Sequence, residues 1–265
     1  MQNKNPMPSA IITDLDGTLL RSDKTVSGYT VSIFEKCRQR GIKIIIATAR
    51  SEKSAERITR LIKPDIMIYN GGSLVKNKAN EIIYEKYIST EDSDTLLDDF
   101  KNNKNIGVVT IETINNYYVT YKDVSWHSDY MHGIYYDFSK PLSEKTYKIT
   151  VEIHEKEIAN KIKDKLKNIK VIEFAGENWY GFYPNDASKY LAIEEISKKE
   201  NLKLDEIAAF GDDYNDIEMI EKCGTGVAVE NGIDELKKAA DYICQSNNKD
   251  GVAEWIEMNI SEVLL

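Results

Sequence analysis

Residues 10–13, 42–47 and 66–69 are short runs that are apolar at nearly every position, and between them the apolar residues recur at helical spacing. A strand that alternates apolar and polar residues can leave one face in water, but a continuously apolar strand must be covered on both. Such runs joined by helices therefore imply a parallel sheet with helices on each side. Ile33, Phe34 and Cys37 form the first helical stripe, behind Ser27 as N-cap and ahead of Gly41 as stop, and Ala55, Ile58 and Ile62 form the second. The same pattern resumes late in the chain. It predicts a helix over about 188–200, a strand at 207–210, a short helix after Asp213, a strand at 226–229, a helix from Ile233 and a last helix over about 251–257. The expected fold class is α/β, with a doubly wound parallel sheet as its core.

The middle follows a different rule. From about residue 81 to 183 the segments 82–84, 108–111, 117–121, 147–153, 171–174 and 179–183 read as short alternating strands. Two helical patterns lie among them, one behind Ser89 and one carrying Ile158, Ile162 and Leu166. Alternation suits an antiparallel sheet with helices on one face, and Asn115-Asn116 and Gly176-Glu177-Asn178 suit hairpin turns. The chain is thus expected to form a discontinuous core, residues 1–84 and 185–265, with an inserted α+β domain at 85–184. Twelve of the 16 tyrosines and all three histidines (His127, His132, His154) fall between Tyr84 and Tyr190. A core without histidine points to carboxylate chemistry rather than to a Ser-His or Cys-His device.

Charge and cysteine usage narrow the partners. The formal net charge is −9, and the lysines are interleaved with acids, as in residues 194–200, which disfavours a nucleic-acid partner. No apolar run approaches the roughly 20 residues of a membrane span. The polar start, residues 1–8, is followed by no signal segment, so a cytoplasmic location is expected. Cys37, Cys223 and Cys244 are odd in number and unpaired in spacing, as expected of reduced thiols.

In an open parallel sheet, ligands bind beyond the carboxyl ends of the strands. Those ends read Asp14-Leu15-Asp16-Gly17-Thr18, Thr48-Ala49-Arg50, Asn70-Gly71-Gly72 and Gly211-Asp212-Asp213-Tyr214-Asn215-Asp216. A turn explains either acid cluster alone, but not both at matching strand ends. Acids converging without His or Cys suit a hard cation that bridges to phosphate, which selects Mg2+. Asp14 and Asp212 are the expected side-chain ligands, with the backbone carbonyl of Asp16 as a third, and Asp213 and Asp216 in support. With an anionic ligand in place, Asp14 can attack phosphorus and Asp16 can act as general acid and then base. On that division Asp14 stays ionised and Asp16 holds a proton part of the time. Gly17 lets the chain turn away. Thr48 offers a hydroxyl and Lys189 a positive charge to a phosphoryl group. Arg50 is open between substrate contact and structural pairing, and Asn70-Gly71-Gly72 reads as a tight loop.

D-L-D-G-T-L after one strand, A-T-x-R after the next, a lysine after the insert and G-D-x-x-N-D after the fourth resemble motifs I to IV of the haloacid dehalogenase superfamily. The position of the insert, the N-G-G loop and the tail Ala239-Ala240-Asp241-Tyr242 to Asp250-Gly251-Val252-Ala253 resemble its Cof-type branch of sugar-phosphate phosphatases. The resemblance spans essentially the whole chain. It implies a Mg2+-dependent phosphatase of small phosphomonoesters with Asp14 as nucleophile and Asp16 as general acid/base. It also implies Asp14, Asp16 and Asp212 at the metal, Thr48, Lys189 and Asn215 at phosphate or substrate, and the insert as a cap that selects the leaving group. Ala49 and Tyr190 depart from the glycines usual at those positions of the branch. A phosphomutase or phosphotransferase on the same scaffold, or a non-catalytic phosphoester-binding module, are the alternatives. Retention of Asp14, Asp16 and Asp212 together disfavours the binding module, since a binder needs neither nucleophile nor acid.

Overall fold

The computed structural model describes residues 7–121, 133–174 and 178–260. It divides into two compact units, residues 1–84 with 188–265 and residues 85–187, so the return from the insert falls at 187/188 rather than 184/185. The first unit opens with β1 (Ala10–Thr13), α1 (Gly28–Gln39), β2 (Lys43–Ala47), α2 (Glu52–Ile62), β3 (Ile66–Tyr69), β4 (Leu74–Asn77) and β5 (Ile82–Glu85). The insert contains α3 (Thr90–Lys101), β6 (Ile106–Thr113), β7 (Tyr117–Val119), β8 (Ile134–Tyr135), β9 (Thr146–Ile153), α4 (Lys156–Lys165), β10 (Ile169–Glu173) and β11 (Trp179–Pro184). The chain then completes the first unit with α5 (Lys189–Glu200), β12 (Ile207–Gly211), α6 (Ile217–Lys222), β13 (Thr225–Val229), α7 (Asp234–Ala239), β14 (Tyr242–Cys244) and α8 (Gly251–Asn259).

The first unit is a mixed α/β domain on an eight-stranded sheet, ordered β14-β13-β12-β1-β2-β3-β4-β5. β1 lies between β12 and β2 and pairs parallel with both, with Thr13 opposite Phe210 on one side and Ile46 on the other. All four residues of β1 are fully buried, as its unbroken apolar run requires. Ala10, Ile12, Ile45, Ala47, Ile68 and Ala209 share one core with Ala192, Ile193 and Ile196 of α5. Where a sheet is so covered, each large apolar side chain buried contributes about 1.5–3 kcal/mol. Ser27, Ser51 and Ser188 cap α1, α2 and α5, each accepting from the backbone N–H three residues on, and so satisfy donors a helix start leaves unpaired.

Two features differ from the sequence expectation. β4 turns back antiparallel onto β3, and residues 82–84, grouped by pattern with the alternating strands of the middle though inside the core's expected bounds, form the edge strand of the core sheet. A strand with one neighbour is half-exposed and alternates like an antiparallel one, so the pattern alone could not separate the two. β14 carries no strand signal in the sequence, because its Tyr242 and Ile243 are exposed at the opposite edge and form no buried run.

The insert forms a six-stranded sheet, β10-β11-β9-β6-β7-β8, mostly antiparallel. Val109, Ile111, Ile149 and Val151 pack with Leu96, Leu97 and Phe100 of α3 and with Ala159 and Ile162 of α4. Their neighbours Thr110, Glu112, Lys148 and Thr150 therefore point to the other face, where Lys148 meets its cross-strand partner Glu112 at 3.4 Å. The Asn115-Asn116 turn is tied by Thr113 N–H to the Asn116 carbonyl (2.9 Å), while Glu144 accepts from Thr113, Asn116 and Tyr118. His154 is exposed, whereas His127, His132, Trp126 and most of the Gly176-Glu177-Asn178 turn lie outside the described residues. No helix among the described residues is long and apolar enough to cross a membrane.

Phe182 is fully buried and meets Phe100 edge to face at 5.5 Å. Phe182→Ala leaves a cavity between β11 and α3 and is expected to cost about 3–5 kcal/mol. Urea denaturation of the variant, followed by a probe in the insert, checks it; an unchanged midpoint would contradict this account of the core.

Candidate active site

The parallel register sets the geometry. Asp14 follows Thr13 out of β1, its N–H still donating to the Phe210 carbonyl (3.0 Å), while Gly211 ends β12 and delivers Asp212 beside it. One carboxylate oxygen from each of Asp14, Asp212 and Asp216 lies within 4.8 Å of the others. Between two of them sits Lys189, the first residue of α5. Its Nζ donates to Asp14 Oδ1 (2.6 Å) and Asp216 Oδ1 (2.7 Å), and at 3.3 Å to Asn215 Oδ1. The Lys189 side chain is 1% exposed and that of Asp216 fully buried. Asp216 also accepts from the backbone N–H groups of Asp212 (3.0 Å) and Asp213 (3.2 Å) through Oδ2. Both its oxygens are thus taken by protein donors, so it braces the loop.

Close packing at glycine holds this arrangement. Gly17 has φ of 84°, and a Cβ there would meet Asp212 Oδ2 at 2.2 Å. At Gly72, with φ of 106°, a Cβ would meet the Ser188 carbonyl oxygen at 2.1 Å. The Asn70-Gly71-Gly72 loop is therefore more than a tight turn, because it seats the residue before Lys189. Tyr190 does not disturb that start: Ser188 still caps α5, and the Tyr190 ring packs against the core.

The remaining residues fall into place around the acids. Thr48 is buried at the end of β2, and its hydroxyl accepts from the Arg50 N–H (3.1 Å). Asp213 is exposed and caps the short 3-10 turn at Tyr214–Asp216 in a reciprocal capping box with Asp216. Asp16 is separated from the cluster by its partners. Arg50 grips it through Nε to Oδ2 (2.5 Å) and Nη2 to Oδ1 (2.7 Å), and Lys24 Nζ adds a bond to Oδ1 (2.9 Å). Two residues here were not picked out from the sequence. Thr18, buried, donates its hydroxyl to Asp212 Oδ1 (2.7 Å), and Lys24 reaches Asp16 from a loop. The signal for Thr18 was its place in the D-G-T run, whereas a lone loop lysine carries none.

Electrostatics reverse one expectation. Burial, and repulsion by Asp216 and Asp212, push the Asp14 carboxyl well up despite the opposing pull of Lys189. Burial likewise pushes Asp212 up to about 6, against the hydrogen bond from Thr18. Burial also acts on Asp16, but the hydrogen bonds and charges of Arg50 and Lys24 outweigh it and hold this carboxyl below its usual range. In the protein alone, then, Asp16 is the firmly ionised acid and Asp14 the reluctant one, opposite to the division expected above. The cause is the Arg50 fork, which pairs Asp16 structurally, and, at Asp14, burial together with the surplus of three carboxylates over one ammonium. That surplus, in an all-oxygen donor set, fits a divalent hard cation between Asp14 and Asp212.

A family model described as haloacid dehalogenase-like hydrolase matches residues 11–256. The chain is 26% identical over 262 residues to the 5-amino-6-(5-phospho-D-ribitylamino)uracil phosphatase YitU of Bacillus subtilis, covering 94% of this chain and 97% of that protein. Among solved structures it resembles TM0651 from Thermotoga maritima, with a TM-score of 0.84 at 23% identity over 94% of this chain and 96% of that one. The HAD subclass IIB sugar phosphatase BT4131 superposes with a TM-score of 0.79 at 23% identity, over 94% of this chain and 98% of that one. With its parallel core sheet, its acids at matching strand ends and a match running from β1 into α8, the chain belongs to the haloacid dehalogenase-like hydrolases.

Proposed function

We propose that the protein is a Mg2+-dependent phosphomonoester hydrolase that works through an aspartyl-phosphate on Asp14, with small phosphorylated metabolites, sugar phosphates foremost, as substrates. One observation carries the reading: a nucleophile-sized carboxylate at the end of the central strand, held 2.6 Å from a buried ammonium and facing Asp212. The names of the relatives support the substrate class, since one is a sugar phosphatase and another acts on a phosphoribityl compound. The inserted unit is the natural source of leaving-group selection.

The proposed chemistry runs in two displacements. An oxygen of Asp14 attacks phosphorus as the ester P–O bond breaks, and Asp16 gives its proton to the departing alkoxide. Water then attacks the same phosphorus, Asp16 takes its proton, and the Asp14–phosphorus bond breaks to release phosphate. Lys189 and the Thr48 hydroxyl bind phosphoryl oxygens and Asn215 orients Lys189, so that charge is matched where it develops. Mg2+ held by Asp14, Asp212 and the Asp16 backbone carbonyl would neutralise phosphoryl charge and keep Asp14 ionised. The cations around Asp16 favour its ionised form, which suits the water step. An anionic ester offsets those cations on binding, and Asp16 then takes up the proton it must donate.

A phosphate-release screen over sugar phosphates, nucleotides, pyridoxal phosphate and flavin mononucleotide with Mg2+ tests the activity. Release is expected from at least one, and Asp14→Asn is expected to abolish it, lowering the rate by about 10³-fold or more. Turnover by that variant near the wild-type rate would remove Asp14 as nucleophile. EDTA is expected to silence the enzyme and excess Mg2+ to restore it, and activity that survives chelation would defeat the scheme.

Asp212 also sets a pH dependence. Its folded value of about 6 lies above the ordinary carboxyl value, so protonation stabilises the metal-free fold. That contribution is full below about pH 4 and lost as pH rises through about 6. Mg2+ requires the ionised form, so its affinity moves the other way. Calorimetric titration is expected to show binding weaker by about tenfold or more at pH 5 than at pH 7. An affinity flat across that range would exclude Asp212 as a ligand.

A further inference from the structure

The loop between β1 and α1 is held more firmly than a connector requires. The Arg21 N–H donates to the Thr25 carbonyl (3.0 Å) and the Lys24 N–H donates back to the Arg21 carbonyl (2.8 Å). Asp23 Oδ1 accepts from both the N–H (3.0 Å) and the hydroxyl (2.5 Å) of Thr25. The C-terminal segment pins this turn from outside. Asn248 Oδ1 accepts from the Ser22 N–H (2.9 Å), Asn248 Nδ2 donates to Ser22 Oγ (2.9 Å), and the Arg21 guanidinium grips Asp250 through two bonds (3.2 and 2.6 Å). At the apex Lys24 has φ of 63°, a left-handed conformation that glycine or asparagine adopts with less strain. What lysine adds there is its ammonium, delivered to Asp16.

The contacts on Asp16 are unequal. Oδ1 takes two cationic donors, Lys24 Nζ (2.9 Å) and Arg50 Nη2 (2.7 Å), whereas Oδ2 takes Arg50 Nε (2.5 Å). An ionised carboxylate oxygen accepts about two hydrogen bonds. Among the described contacts, Oδ1 is therefore filled and the remaining lone pair is on Oδ2. We propose that Lys24 is a positioning residue that, with Arg50, saturates Oδ1 of Asp16 and so assigns Oδ2 as the oxygen that exchanges a proton with the leaving group. This assignment rests on the phosphatase reading above. Without Lys24 the carboxylate keeps the Arg50 fork but loses the contact that makes its two oxygens distinct, and the proton-transfer geometry loosens. Lys24 acts only through Asp16, so steps that need no proton from Asp16 are untouched.

Leaving-group dependence separates this role from a general electrostatic or structural one. The measurement is kcat/KM with Mg2+, which reports the steps through alcohol release. It compares an alkyl phosphate that the wild-type enzyme hydrolyses with 2,4-dinitrophenyl phosphate, whose leaving group departs without a proton. Lys24→Met is expected to lower kcat/KM for the alkyl ester about tenfold while the aryl ester stays within about twofold, with Lys24→Arg restoring most of the loss. Mg2+ affinity by calorimetry is expected to be the same in all three proteins. Equal losses on both esters would overturn the proposal in favour of a charge acting on the phosphoryl group or a disturbed fold. No loss on either would remove Lys24 from the mechanism, and a shifted Mg2+ affinity would move its role to the metal. Failure of the wild-type enzyme to hydrolyse any phosphate ester of the screen above, or the aryl ester, would instead overturn the phosphatase reading itself, and this assignment with it.

Discussion

The contact between the Lys189 ammonium and the carboxylates of Asp14 and Asp216 is the interaction on which the site depends. An isolated buried ammonium would shed its proton or its position, but here two carboxylates hold it charged, and burial in turn makes their pull strong. The three side chains come from three separate stretches of the chain. One follows β1, one begins α5, and one closes the turn after β12. The ion cluster thus fastens sequence-distant elements at the rim where a phosphoryl group would bind. Removing Lys189 leaves the buried carboxylates uncompensated, so the residue that would stabilise phosphate is also one the fold cannot easily lose.

Backbone packing prepares this cluster before any side chain acts. The Gly72 backbone presses against the Ser188 carbonyl, fixing where α5 starts, and the Gly17 backbone presses against the Asp212 carboxylate. The parallel register, with Thr13 opposite Phe210, places the ends of β1 and β12 level. The acids are therefore brought together by the sheet itself. Their burial, and with it their mutual repulsion, is the cost, visible in the raised carboxyls of Asp14 and Asp212, and the same excess of negative charge makes the site receptive to a cation.

Much of this was legible in the amino-acid order. Continuous apolar runs identified β1, β2, β3 and β12 because strands buried on both faces have no alternative pattern, and the acids directly after them located the rim. Edge elements were less legible: β5 reads as a strand but not as part of this sheet, and β14, exposed at the other edge, gives no signal at all. Asp216 reads from the sequence as a support; its bond to Lys189, which lies on the far side of β12 in the chain, is visible only in three dimensions. The Arg50 fork on Asp16 was open between two readings, because the spacing between motifs says nothing of which way a guanidinium turns. Lys24 was invisible for the same reason, its role arising from a left-handed turn pinned by residues more than 200 positions away.

The place of β1 in the sheet has a consequence for how the molecule is made. β1 is flanked by β2, its near neighbour in sequence, and by β12, which begins at Ile207. During synthesis one edge of this strand can pair early, but the other has no partner until the whole insert has left the ribosome. The insert closes its own sheet from contiguous residues, so its contacts are the more local ones. The rim that carries the acids is therefore assembled last, after the domain inserted in the chain between β5 and α5, and an apolar edge of the central sheet stands exposed in the interval.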